Sequence, residues 1–166
     1  MSKLKKMILI TLIVVLAIAA MIFVFSAQSG EDSSKASGRV TEAVLSLLMP
    51  GFRQLSPAEK RPYLATWGKV IRKLAHFTEY ALLGFALVVH LKYRLRDSSL
   101  PRVCLIAWLV ATLYAGTDEL HQLFIANRSA AVTDVLIDSA GAVVGTLFGA
   151  LRQRLRHRRH VAKPVD

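Results

Sequence analysis

Five acidic residues lie inside stretches that are otherwise apolar enough to cross a membrane. They are Glu79, Asp118, Glu119, Asp134 and Asp138. An ionisable side chain in hydrocarbon costs roughly 3 kcal/mol or more, so such residues are rare and are usually functional. Clustered, buried carboxyl groups can do general acid–base chemistry, because burial and like charges separate their proton affinities. These five side chains are therefore the first candidates for chemistry.

Basic and hydrogen-bonding residues accompany the acids at helical spacing. Residues three or four apart share a helix face, and the sequence contains three such sets: Lys73–His76–Tyr80, Asp118–Gln122 and Asp134–Asp138. Glu79 is also three residues from His76. Arg72 and Lys73 equally fit residues that mark the lipid interface by extending towards water.

An enzymatic interpretation assigns roles to these residues. Glu79 or Glu119 would be the general base, with His76 as its partner. Lys73 and Arg128 would hold a phosphate or a carboxylate, and Ser26 or Ser29 is a weaker candidate nucleophile. The candidate catalytic residues are therefore Glu79, Glu119, His76, Asp118 and Asp134, and the candidate binding residues are Lys73, Arg128, Gln122, Ser26, Gln28, Ser29 and Asp138.

No cofactor is evident from the sequence. A metal-assisted variant would place a divalent ion among His76, Glu79, Asp118 and Asp134. The spacings match no standard zinc motif, so this metal-assisted variant is the less favoured one.

Four apolar runs must position these residues. They cover about residues 7–25, 74–91, 103–125 and 132–151. A helix of about 20 residues crosses the roughly 30 Å of bilayer hydrocarbon, and 54% hydrophobic residues is high for a soluble domain. The sequence therefore predicts an all-α membrane protein, a four-helix bundle forming one domain over residues 1–166. Three lysines precede the first run as in a signal peptide, but the run is too long for one, which predicts a retained anchor.

Positive charge predicts the orientation of the spans. The short segments that flank them carry Lys3, Lys5, Lys6, Lys92, Arg94, Arg96, Arg102, Arg152, Arg154, Arg156, Arg158, Arg159 and Lys163. The positive-inside rule then places both termini in the cytoplasm of a bacterium, with the protein in its inner membrane. The acidic clusters would consequently meet at the outer face. The net charge of +11 is explained by these flanks, so we expect no nucleic-acid partner.

The long outer segment carries its own helix signals. Val40, Val44, Leu47 and Leu48 recur at helical spacing, which predicts a short amphipathic helix on the membrane surface. Ser56, followed by proline and by a glutamate three residues on, predicts a helix start that can continue into the second span.

Glycines predict how the fourth span packs. Gly141, Gly145 and Gly149 form two overlapping G-x-x-x-G patterns on roughly the face of Asp138. Such a face lets another helix approach closely, within one chain or between two. The side chains of Asp134 and Asp138 should therefore point into the bundle.

Several of these stretches together resemble the VanZ-like family of bacterial membrane proteins. The matching stretches are residues 25–30, 73–80 with Leu83-Gly84, 118–122, Arg128, and Asp134-Val135 with Gly141 and Gly145. The family is named for a protein associated with resistance to teicoplanin, and the resemblance implies a cytoplasmic-membrane protein connected with the cell envelope. The chain departs from the pattern at Asp138, where asparagine is more usual, and at Ala126-Asn127, where a proline-glycine turn is usual.

Three classes of function remain open. The protein could be an enzyme acting at the outer leaflet on a lipid-linked or peptidoglycan precursor. It could instead be a non-catalytic binder or transporter for a lipid headgroup, a glycopeptide or a proton, since the chain has no G-x-S-x-G, H-E-x-x-H or phosphate-binding loop. In the third class the polar residues only hold the helices together.

Overall fold

The computed structural model consists of helices and short turns. Backbone structure is described for residues 1–161 and side chains for residues 1–158, so the predicted charges of Arg159 and Lys163 lie outside the described side chains. The helices are α1 (Lys3–Ser26), α2 (Gly30–Leu48), α3 (Pro57–Arg94), α4 (Leu100–Gln122) and α5 (Val132–Val161), with a 3-10 turn at Phe52–Gln54. No strand occurs in residues 1–161. The predicted all-α fold is confirmed.

Four of these helices, α1, α3, α4 and α5, are long and apolar enough to cross a membrane. The surface of α1 fits a lipid environment, because large apolar side chains such as Ile13 and Leu16 remain about half exposed, at 56% and 58%. In water such a surface would be unusual for a folded monomer. The chain is therefore a multi-pass membrane protein, as predicted.

Helix α3 begins much earlier than its predicted span. The Ser56 hydroxyl and the Glu59 carboxylate form a capping box at its start, and the helix then continues without a break to Arg94. Its 38 residues extend about 57 Å, well beyond the hydrocarbon thickness. The N-terminal part of α3 therefore projects from the end of the bundle, and the predicted continuation into the second span is confirmed.

Helix α2 packs against this projecting part of α3 as a hairpin. The Arg72 guanidinium donates to the Ser34 hydroxyl at 2.8 Å, and Lys60 forms an ion pair with Glu42 at 3.0 Å. The predicted amphipathic helix is therefore present, but with a partner within the chain.

Three of the four apolar residues predicted for the membrane-facing side of α2 remain exposed, and the fourth, Val44, is half-buried. Thr41 and Leu45 are buried, whereas Val40, Leu47 and Leu48 are 52%, 81% and 71% exposed. Contact of this exposed face with the membrane stays a prediction.

Glycines bring α5 close to α3. A Cβ on Gly145 would collide with the Ala81 carbonyl, and one on Gly141 with that of Phe77. Backbone contact of this kind is what small residues permit between membrane helices. The glycine face thus packs within the chain, and it turns the polar residues of α5 towards α3 and α4.

Candidate functional site

One end of the bundle contains a polar cavity of about 210 Å³, enclosed by α3, the end of α4, the turn at residues 123–131 and the start of α5. Its walls are formed by Lys69, Arg72, Lys73, His76, Glu119, Gln122, Asn127, Arg128, Ser129, Asp134, Ile137 and Asp138. The three spans come together here because α3 and α5 pack through the glycine face and α4 contacts both of them.

The cavity gathers seven of the twelve predicted site residues: His76, Glu119, Asp134, Lys73, Arg128, Gln122 and Asp138. Glu79, Asp118, Ser26, Gln28 and Ser29 are not among its lining residues. Arg72 and Lys69 line it but were not predicted as site residues. Their spacing with Lys73 and His76 along one helix face was the signal that could have found them.

Behind the cavity a buried network joins α1 to α4. The Ser26 hydroxyl donates to Asp118 Oδ2 at 2.6 Å, and Gln122 Nε2 donates to Ser26 Oγ at 2.8 Å. Ser26 is fully buried, and Asp118 and Gln122 are at most 6% exposed. Ser26 was predicted as a binding residue or nucleophile, and in this structure its hydroxyl both donates and accepts within the network.

The other two residues predicted after the first span also have local roles. Ser29 is the N-cap of α2, since its hydroxyl accepts from Asp32 N at 3.1 Å and donates to the Asp32 carboxylate at 2.7 Å. Gln28 contributes its backbone carbonyl, which accepts from Arg128 Nε at 3.2 Å. Neither side chain faces the cavity, because the chain turns into α2 at this point.

Arg128 connects the turn to both α1 and α4. Besides Gln28, its guanidinium donates to Gln122 Oε1 at 3.0 Å and to the Phe25 carbonyl at 3.4 Å. All three acceptors are neutral. Burial and the neighbouring Arg72 lower the pKa of Arg128, but an arginine remains charged. Its positive charge is therefore held at the cavity without an ion-pair partner among the described side chains.

Arg72 has the same character. Its one side-chain hydrogen bond goes to the neutral Ser34 hydroxyl, and its Nε atom is buried with no partner in the described part of the chain. Lys73 differs, because its ammonium lies 2.5 Å from Asp134 Oδ1. The predicted anion clamp of Lys73 and Arg128 stays a prediction: Lys73 has a carboxylate partner, whereas Arg72, like Arg128, has no ion-pair partner among the described side chains.

The carboxyl groups and the histidine of the cavity differ in their hydrogen-bond partners. Glu119 Oε1 accepts from Ala131 N at 2.6 Å and so holds the turn just before α5 begins. Asp138 is 3% exposed and its Oδ1 has no partner among the described residues. His76 Nδ1 likewise has none, lying 3.9 Å from Glu79 Oε2. His76 and Asp138 thus have hydrogen-bonding capacity left for a ligand.

The turn explains one departure from the expected sequence pattern. Asn127 has a φ of 59°, in the left-handed region where glycine is most favourable and asparagine is among the best alternatives. Gly30 lies directly against this residue, because its N–H donates to the Ala126 carbonyl at 3.0 Å and a Cβ would collide with the Asn127 carbonyl. The turn is thereby fixed to the start of α2.

Within the described part of the chain, no group of three or more His, Cys, Asp or Glu side chains is arranged to hold a metal ion. The set proposed for the metal-assisted variant, His76, Glu79, Asp118 and Asp134, does not converge on one point.

Fold and site together define a four-span membrane protein with a mixed-charge cavity at one end of its bundle. The family model described as VanZ/LLP1 matches residues 11–153, which is most of the chain. The protein therefore belongs to the VanZ/LLP1 family, as its resemblance predicted. No curated protein and no solved structure matches the chain at a significant level.

Proposed function

We propose that the cavity binds the anionic headgroup of a cell-envelope lipid or a peptidoglycan precursor at the extracytoplasmic face of the bacterial inner membrane. The observation that supports this most directly is the pair Arg72 and Arg128. Both guanidiniums line the cavity, and both have only neutral partners. Guanidinium groups hold phosphate and carboxylate oxygens through paired, charge-assisted hydrogen bonds.

The size of the cavity indicates which part of a ligand it takes. Its volume of about 210 Å³ is below the roughly 300 Å³ at which pockets for drug-sized ligands begin. A charged headgroup fits this space better than a whole glycopeptide. The lipid tail would lie outside, along the apolar surfaces of the spans. If the ligand is a peptidoglycan precursor, loss of the protein should change glycopeptide susceptibility.

The outer-face placement rests on the distribution of positive charge. Basic residues concentrate in the short segments at the end opposite the cavity, and the positive-inside rule assigns that end to the cytoplasm. The hairpin of α2 and α3 would then project outwards.

Neutralising Arg72 tests the proposal. We expect Arg72→Gln to weaken binding of a polyprenyl diphosphate to the purified protein roughly 10-fold or more, because a charge-assisted hydrogen bond is lost. Lipids that co-purify with each protein, identified by mass spectrometry, give a second measurement. Arg61→Gln is the matched control, since Arg61 is exposed on α3 and outside the cavity. Equal loss in both variants would mean that only general surface charge attracts the ligand.

Removing the charge of Asp134 should have the opposite effect. Asp134→Asn releases Lys73 from its ion pair and removes one negative charge from the cavity. We expect anion affinity to rise several-fold, since the freed ammonium gains a new partner. Stability should fall by less than about 1 kcal/mol, because both side chains of the pair are more than a third exposed. Glu31→Gln, a change of an exposed carboxylate on α2, should alter neither quantity; weaker binding by Asp134→Asn would contradict the anionic ligand.

Acid–base catalysis on the bound headgroup is the second candidate function. His76 Nδ1 and Asp138 Oδ1 favour it, because both belong to titratable side chains that line the cavity and both lack a hydrogen-bond partner among the described residues. In a phosphoester hydrolysis, Asp138 would accept a proton from the attacking water and His76 would protonate the leaving oxygen. Release of inorganic phosphate in the binding assay, abolished by His76→Asn while binding persists, distinguishes the enzyme from the binder. In a purely structural protein, neither ligand binding nor product would occur.

A further inference from the structure

The end of the bundle opposite the cavity contains a groove lined by basic side chains. It lies between the ends of α3 and α5 and the start of α4, and its volume is about 780 Å³. The residues of this basic groove are Lys92, Tyr93, Arg96, Leu100, Gln153, Arg154, Arg156, His157 and Arg158. They include no aspartate or glutamate, so the groove attracts anions.

The hydrogen bonds that the basic side chains of the groove donate go to neutral oxygen atoms. Arg156 Nη1 donates to the Tyr93 hydroxyl at 3.0 Å. Lys92 Nζ donates to the backbone carbonyls of Arg96 and Ser98, at 3.0 and 2.8 Å. No ion pair among the described side chains involves a residue of the groove. The side chains are thus oriented while their positive charge remains uncompensated.

An apolar strip continues the groove along α5 into the membrane-spanning part. Phe148, Leu151 and Leu155 are 61%, 51% and 47% exposed there, and they share the strip with Arg152 and Arg156. Arg156 lines both the strip and the basic groove. Arg152 Nη1 is a buried atom without a hydrogen-bond partner among the described residues. The strip therefore leads from apolar side chains to two guanidiniums.

We propose that the strip and the basic groove together bind an anionic phospholipid. Its phosphate would lie on Arg152 and Arg156, and an acyl chain would follow the strip. A basic groove between membrane helices is suited to phospholipid headgroups. A soluble polyanion would explain the basic groove but would leave the apolar strip unused. This site is separate from the cavity. A negative result for phospholipid binding would therefore leave the proposed function of the cavity unaffected, and a negative result for the cavity would leave this proposal unaffected.

Lipid binding by the purified full-length protein tests this. Phosphatidylglycerol, phosphatidylcholine with the same acyl chains, and inorganic phosphate are titrated separately, with bound molecules counted by native mass spectrometry and the melting temperature followed. We expect tight binding and a raised melting temperature with phosphatidylglycerol alone. The double variant Arg152→Gln/Arg156→Gln should weaken that binding roughly 10-fold or more, since each basic side chain near a headgroup contributes.

Arg102→Gln is the matched control, because Arg102 is exposed at the same end of the bundle but lies outside the groove and the strip. If the double variant does not fold, Arg154→Gln, at an exposed residue of the groove, should still reduce binding several-fold. Equal binding of phosphatidylcholine would overturn the proposal, as would an equal effect of Arg102→Gln. An equal response to inorganic phosphate would also overturn it, because the strip would then have no part in binding.

Discussion

Replacing Gly145 with alanine is expected to lower the melting temperature of the purified protein by about 5–10 °C, or about 2–3 kcal/mol of unfolding free energy. The added methyl group would collide with the backbone carbonyl of Ala81 on α3. A flexible side chain could move aside, whereas a helix backbone can yield only by separating the two helices. Because α3 and α5 share the largest interface of the fold, this separation would also widen the cavity.

Gly116→Ala provides the matched control for this prediction. Gly116 lies within α4, and a Cβ there would meet no atom within 4 Å. Alanine is favoured over glycine by about 1 kcal/mol inside a helix, so the control should be neutral or stabilising. Equal melting temperatures for the two variants would contradict the close approach of α5 to α3.

Hydropathy and glycine spacing carried most of the fold prediction. The four spans could be located because a helix in lipid needs about 20 apolar residues, and this requirement is visible in one dimension. Their ends were harder to place. Helix α4 ends at Gln122 and not at residue 125, since residues 123–131 form a turn fixed by Gly30 and Glu119. Such contacts join residues far apart in sequence.

The sequence predicted where in the bundle the candidate site lies, but it did not predict the contacts between its side chains. Topology indicated that the polar residues meet at one end of the bundle, but it could not show which charges neutralise one another. Lys73 is paired with Asp134, sixty-one positions away, whereas Arg72 has no ion-pair partner among the described side chains. Ser26 was a weak candidate nucleophile, and its complete burial could not be predicted because it depends on the neighbouring helices. The role of Ser29, by contrast, was readable from Asp32 three residues later, a spacing typical of a helix N-terminus.

Replacing Arg128 with alanine is expected to reduce both stability and ligand binding. The side chain makes three hydrogen bonds that join the turn to Phe25, Gln28 and Gln122. Hydrogen bonds from charged groups contribute about 1.5–3 kcal/mol each, and water will replace some of those lost. We therefore expect a loss of about 2–4 kcal/mol in unfolding free energy, and at least a 10-fold loss of affinity for the polyprenyl diphosphate. Thermal denaturation without ligand and the binding assay measure the two effects.

Arg128→Lys separates the two roles of this residue. Lysine keeps the positive charge but cannot donate to three separate acceptors in the planar arrangement of a guanidinium. We expect it to melt nearly as low as Arg128→Ala while retaining part of the affinity. Arg72→Gln should melt close to the unchanged protein but bind the ligand more weakly. It loses only one hydrogen bond, to Ser34, but it also loses a positive charge at the cavity. If Arg128→Ala melts like the unchanged protein, Arg128 does not hold the turn. If neither Arg128→Ala nor Arg128→Lys weakens binding, the ligand does not contact the charge at this position, and the proposed anionic headgroup loses one of its two supporting guanidiniums.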